Sequence, residues 1–262
     1  MKNILIAIIL LNIFNYSNTY LLPFLNNYIF INFLKTNYNL PDENLYKNTY
    51  YYDPRIHNLG NIGVKGYIHS LLAPFASYFI DKLAYNNTNI RKNILNTIPD
   101  NYSVLDLCCG IGYSTKNKGT GIDTSNEMLS VAKLINTNNK YIKMNAENIS
   151  SLGNYDVITI MFATHEIPSI YRRKIINNAL KKTNKYLLIV DIDSDNYYKV
   201  LMNKYNNGFT FLSGEPYIAD YLLNMNKDIN YCYFNNFLNF NYNKKTVIDN
   251  HIIMWNFTKR VL

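Results

Sequence analysis

Between Ser103 and Gly112 the chain reads Ser-Val-Leu-Asp-Leu-Cys-Cys-Gly-Ile-Gly, a short apolar run that ends in an acid and then in small residues. Such a run reads as a buried strand leaving the sheet through a tight turn into a helix N-terminus. Gly110 and Gly112 let backbone come within contact distance of a ligand, and the free amides of the next turn can meet a negative group. A nicotinamide fingerprint needs Gly-x-Gly-x-x-Gly; counted from Gly110 the last position is Thr115, and from Cys108 it is Tyr113. That fingerprint fails. What remains is an acid, Asp106, two residues before a small position, Cys108, followed by two glycines and by a second acid, Asp123, after the next strand.

The surrounding rhythm fits such a turn. Short apolar runs at 103–107, 119–122, 140–144, 155–162 and 185–192 alternate with amphipathic segments at about 124–136 and 169–182. Strand and helix in alternation predict an α/β fold, a mostly parallel sheet with helices on both faces. Thr124 and Glu127 form a capping box, and Met128, Leu129, Ala132 and Ile135 then share one helix face. Asp123 is thereby placed at the C-terminal end of a strand, the edge where open α/β sheets bind ligands. Upstream, Pro41 to Asp53 reads as a loop. The segment 53–66, with three glycines in its last seven positions, reads as irregular backbone, and a helix over Tyr67–Ala84 is interrupted by Pro74. Thr246–Trp255 alternates imperfectly and reads as the last, antiparallel strand.

On these motifs the sequence resembles the class I S-adenosylmethionine-dependent methyltransferases, particularly the small-molecule and quinone-type branch, over about 103–193. The resemblance implies a Rossmann-like, seven-stranded, mostly parallel sheet with an antiparallel last strand, preceded by an N-terminal helical extension. It also implies S-adenosyl-L-methionine as cofactor. The turn matching Asp106, Cys108, Gly110 and Gly112 would cradle the methionine part, and Asp123 with Thr124 would meet the ribose. Asn145 and Ala146 would flank the adenine, and Phe162 would close the site at the end of the fourth strand. The pattern departs from the family in two places: Cys108 stands for the first glycine, and eleven steps from Gly112 to Asp123 leave room for a first helix of barely two turns.

Methyl transfer is an in-line displacement, so positioning and dehydrating the acceptor matter most, and a base is needed only where the acceptor loses a proton. His165 and Glu166, after the fourth strand, are the candidates for base or acceptor contact; equally, His165 can cap the next helix while Glu166 is solvated. His57, His69 and His251 read as structural, while Tyr51 and Tyr52 could pack on the cofactor. Gly214-Glu215-Pro216-Tyr217 starts a helix carrying Ile218, Tyr221 and Leu222, where small-molecule methyltransferases build acceptor pockets. Asp191-x-Asp193-x-Asp195 resembles the start of a calcium loop, but Asn196 and Met202 stand where such a loop wants Gly and Glu, so no metal is expected.

Composition narrows the rest. With 262 residues, 48% hydrophobic and 17% charged, the chain is neither a disulfide-stapled mini-protein nor wholly disordered. Its formal charge of +8 comes from 21 scattered Lys and 5 Arg in a background of 44 Asn, so nucleic acid is not the expected partner. Cys108, Cys109 and Cys232 give no disulfide framework and suggest a reducing compartment. Ile4–Leu11 and Leu21–Ile31 are apolar, and residues 1–34 are expected to be a targeting or membrane-anchor segment, with 35–95 a linker and helical cap and 96–262 the methyltransferase domain. A secreted fate fits this cofactor poorly; a membrane-associated or organelle-targeted enzyme with a small-molecule or lipid-like acceptor fits it better. The alternatives are a membrane-tethered binding module without turnover, or a nucleic-acid methyltransferase.

Overall fold

The computed structural model describes residues 49–197 and 215–260, so the segment expected to be an anchor, 1–34, lies outside the described residues. The helices are α1 (Gly63–Leu83), α2 (Ile90–Asn96), α3 (Asn126–Ile135), α4 (Ser169–Lys182) and α5 (Ile218–Phe234). The strands are β1 (Val104–Leu107), β2 (Thr120–Asp123), β3 (Lys140–Lys143), β4 (Tyr155–Met161), β5 (Thr183–Ile192), β6 (Phe240–Ile248) and β7 (Ile252–Lys259). They form one sheet in the order β3-β2-β1-β4-β5-β7-β6. Pairing is parallel from β3 to β5 and antiparallel on both sides of β7.

Alternation along the strands explains the two cores. On β1, Leu105 and Leu107 face one way, packing with Ile158, Ile160 and Ile189 against Ile175 and Ile176 of α4 and Met225 and Ile229 of α5. Val104 faces the other way and packs with Val157, Leu188 and Val190 against Ile90 and Ile94 of α2. Strands buried on both faces carry apolar residues at successive positions, which is why these runs are continuous in the sequence.

Four expectations need correction. No helix follows the glycine turn: Cys108–Gly119 crosses from β1 to β2 through turns closed by Gly112 N–H to Cys109 O (2.8 Å), Thr115 N–H to Gly112 O (3.2 Å) and Gly119 N–H to Lys116 O (2.7 Å). Twelve residues with three glycines are too short and too poor in helix formers for a helical crossover. Secondly, Ser125 rather than Thr124 caps α3, its Oγ accepting from Met128 N–H at 3.1 Å. Glu127 Oε1 accepts Gly63 N–H (2.7 Å) at the start of α1, and its Oε2 accepts the Ser125 hydroxyl (3.2 Å) rather than a backbone N–H of the cap. Thirdly, α1 begins at Gly63 and runs through Pro74 without a break. Finally, 246–255 is not one strand but holds the turn of the β6–β7 hairpin, where Asn250 takes a left-handed φ of 57°.

Candidate functional site

A cleft opens where the C-terminal ends of β1, β2 and β4 meet, walled by the glycine turn, α1 and the chain after Tyr50. β1 leads into Cys108, whose φ of +57° is the left-handed conformation that a glycine would adopt freely. Gly110 follows at φ +52°, and a Cβ there would meet nothing within 4 Å. The turn therefore presents bare backbone to open space. Gly112 serves packing instead, since its φ is +82° and a Cβ would run into the Tyr141 hydroxyl; this glycine lets the turn sit against β3.

The two acids divide in the same way. Asp123 lies at the cleft, its Oδ2 accepting Gly110 N–H (2.8 Å) and its Oδ1 accepting Ser125 N–H (2.9 Å). Burial pushes its pKa up against those two donors. With a third backbone donor at Thr124, the carboxylate still has lone-pair capacity for a further donor. Asp106, by contrast, is fully buried behind the turn and is not among the cleft-lining residues. Its oxygens accept Ser114 Oγ–H (2.8 Å), Thr115 Oγ1–H (2.8 Å) and Thr159 Oγ1–H (2.9 Å). It gathers the turn that replaces the missing helix.

Cys108, Gly110, Asp123, Thr124, Asn145, Ala146 and Phe162 thus share one cleft, while Asp106 and Gly112 support it from outside. Asn145 Oδ1 accepts Glu147 N–H at 2.8 Å, which fixes the turn after β3. Phe162 follows β4 directly at φ +58°, its ring stacked on Tyr85 (5.9 Å) and covered by the Arg91 guanidinium at 4.2 Å. Tyr50 and Tyr51 line the cleft, but Tyr52 does not. Tyr50 stacks on Tyr171 of α4 at 4.6 Å, so the start of the described chain is built into the cleft wall rather than being a free loop.

Opposite Asp123 lies a chain of ionisable groups. Glu166 lines the cleft and pairs with His57 Nε2 at 2.6 Å. His57 Nδ1 faces Glu215 Oε1 at 3.0 Å, and His57 N–H donates to that same oxygen at 2.8 Å. Burial opposes a charge on His57, but Glu166 and Glu215 overcome it and hold the imidazole well above its usual range. Burial likewise works against Glu166, and His57 outweighs it, holding the carboxyl low. His165 sits behind Glu166, with Nε2 3.8 Å from Glu166 Oε1 and Nδ1 2.7 Å from Asp191 Oδ1. Its pKa is raised, with the Asp191 carboxylate overcoming burial. Glu166 is therefore at the front of the site with His57, and His165 one layer back. Sequence reasoning gave His57 a structural part; its position beside three glycines was the available signal, and its partners, at positions 166 and 215, lie too far along the chain to be seen. Glu215 was noticed only as the start of a helix.

Among the described residues no group of His, Cys, Asp and Glu has the arrangement of a metal site. Asp191 serves His165, Asp193 accepts Asp195 N–H (3.1 Å), and Asp195 meets Lys244 at 2.7 Å.

The sheet order with its single reversed strand, and a cleft built on the ends of β1, β2 and β4, define the class I S-adenosylmethionine-dependent methyltransferase fold. Among solved structures, the chain is similar to the plantazolicin methyltransferase BpumL in complex with a triazolic desmethylPZN analog and SAH: 15% identity, TM-score 0.52, covering 74% of this chain and 95% of that one. The structure of BpumL with SAH alone gives 18% identity and a TM-score of 0.50 over 74% of this chain and 96% of that one. No protein-family model and no curated protein matches the sequence.

Proposed function

We propose that the protein transfers a methyl group from S-adenosyl-L-methionine to a small-molecule or lipid-like acceptor. The observation that carries this reading is the cleft itself: open backbone at Gly110 beside Asp123, flanked by Asn145, Ala146 and Phe162. That donor set fits the cofactor, with space beside bare backbone for the methionine part, the half-buried carboxylate of Asp123 for two ribose hydroxyls, and Asn145 and Ala146 to flank a purine. The similar BpumL structures, which hold SAH, support the same reading. When bound, the cofactor would supply an electrophilic methyl carried on a sulfonium, whose sulfur would keep the electron pair of the S–CH3 bond.

The residues of this chain do the positioning. Asp123 and the Gly110 backbone fix one partner, while Tyr50, Tyr51 and Phe162 exclude water around it. Glu166 faces the cleft as a carboxylate and accepts a hydrogen bond from the acceptor's N–H or O–H, orienting its lone pair in line. As the new bond forms, the acceptor's proton passes to Glu166. His57, charged and held by Glu215, keeps Glu166 in place.

Residues 1–34 would hold the enzyme at a membrane in a reducing compartment that contains the cofactor. Incubating the full chain with methyl-labelled cofactor and separate lipid, quinone and RNA extracts tests the acceptor. Label in the lipid or quinone fraction is expected; label confined to RNA would overturn the acceptor class, and no label in any fraction would favour the binding-module alternative.

A further inference from the structure

α1 is amphipathic in the wrong direction for a helix in water. Its inward side is made of small and polar residues: Gly66 and Ser70 are buried, and His69, Ala73 and Ser77 line the cleft. Its outward side is large and apolar. Val64, Ile68, Leu72, Phe75, Phe79 and Leu83 recur every three or four residues, and all are exposed, from 45% at Ile68 to 80% at Val64. Tyr67, Leu71 and Tyr78 extend the same side, each about half exposed. At about 100° per residue these side chains occupy an arc of about 160° centred on Phe75. Monomeric soluble proteins rarely leave so continuous an apolar surface to water.

We propose that this outward face of α1 lies on an anionic lipid surface. Charge supports that occupant: Lys65 is exposed at one edge of the same arc and Lys82 within it, while the helix's one acid, Asp81, points away from it and faces Arg91 at 3.9 Å. A helix lying in the plane of an interface carries this pattern, with apolar side chains down, tyrosines at the boundary and lysines reaching for headgroups. Position supports it as well. The described chain begins at Thr49, next to Tyr50 on the cleft that α1 walls, and the sequence ahead of it is apolar over 4–11 and 21–31. With α1 on the bilayer, the cleft mouth would open beside the lipid, where an apolar acceptor is concentrated. The proposal goes beyond the reaction proposed above, and it is read without cofactor or acceptor, so methyl transfer can fail while this surface stands.

Trp255 is the chain's only tryptophan and is fully buried, so a second one reports cleanly. In full-chain Phe75→Trp, vesicles of phosphatidylcholine and phosphatidylserine should shift the added emission to shorter wavelength. Brominated acyl chains should quench it roughly twofold if the ring sits at the depth of about 5–10 Å typical of interfacial helices. Leu72→Trp should repeat the result, which guards against one variant misfolding, and Tyr231→Trp on α5 should not respond. High salt should weaken the response. Emission already blue-shifted without lipid and unchanged by it would mean that residues 1–34 cover the face. A blue shift growing with protein concentration would mean a second copy. Emission that stays red while the protein sediments with vesicles would mean attachment elsewhere. Any of these three results overturns the proposal.

Discussion

Asp106 gives the sharpest quantitative consequence. Its carboxylate is buried, and burial raises its pKa from 3.8 to about 6 despite the hydroxyls of Thr115, Ser114 and Thr159. The folded state therefore binds this proton more tightly than the unfolded chain. The associated stability is fully present below about pH 3.8 and is lost as pH rises through about 6. Moving from pH 7.5 to 5 should stabilise the parent by about 1.4 kcal/mol relative to Asp106→Asn, which has nothing to titrate there. Asp106→Ala is a different perturbation. It leaves the three hydroxyls of Ser114, Thr115 and Thr159 without their acceptor, at about 1–3 kcal/mol each. Removing the buried charge offsets about 3 kcal/mol at neutral pH, for a net loss of about 0–6 kcal/mol. Urea unfolding of the three proteins at the two pH values measures both quantities. Parallel pH dependence of parent and Asp106→Asn, or a difference of opposite sign, would refute the idea that Asp106 is a buried scaffold for the turn.

Gly112→Ala should destabilise by more than about 2 kcal/mol and weaken cofactor binding, because the new Cβ meets the Tyr141 ring at a backbone φ that alanine avoids; unchanged thermal unfolding would contradict that packing. Glu166→Gln should lower kcat by about 100-fold while cofactor affinity, measured by titration, stays near that of the parent. Burial lowers the His251 pKa from 6.5 to about 4, so the unfolded chain binds that proton first on acidification. The resulting loss of about 2 kcal/mol between pH 7 and 5 should be absent from the pH dependence of His251→Gln unfolding.

Much of the fold was legible because its signals are local. Ser103–Leu107, Tyr155–Phe162 and the run at 185–192 are apolar at successive positions, as strands covered on both faces must be. Asp123 could be placed at the ligand edge because a helix start follows it directly. What stayed hidden depends on contacts distant in sequence. Nothing near Asp106 says that Ser114, Thr115 and Thr159 will consume its hydrogen-bonding capacity, and only the short span to β2 hinted that a helix would be lost. The pairing of His57 with Glu166 and Glu215 joins positions up to 158 residues apart. α1 was legible as a helix over 67–84, but which of its sides faces the protein was not, because the small residues turned inward leave no local mark.

The central claim is that this cleft holds the methyl donor and its product through Asp123. Calorimetric titration of the full chain with S-adenosylhomocysteine tests it most directly, with Asp123→Ala alongside. The parent should bind one equivalent, and Asp123→Ala should bind about 10- to 100-fold more weakly, a loss of about 1.4–2.8 kcal/mol. A parent that takes up no ligand at millimolar concentration, or an Asp123→Ala protein that binds as tightly as the parent, would contradict the account.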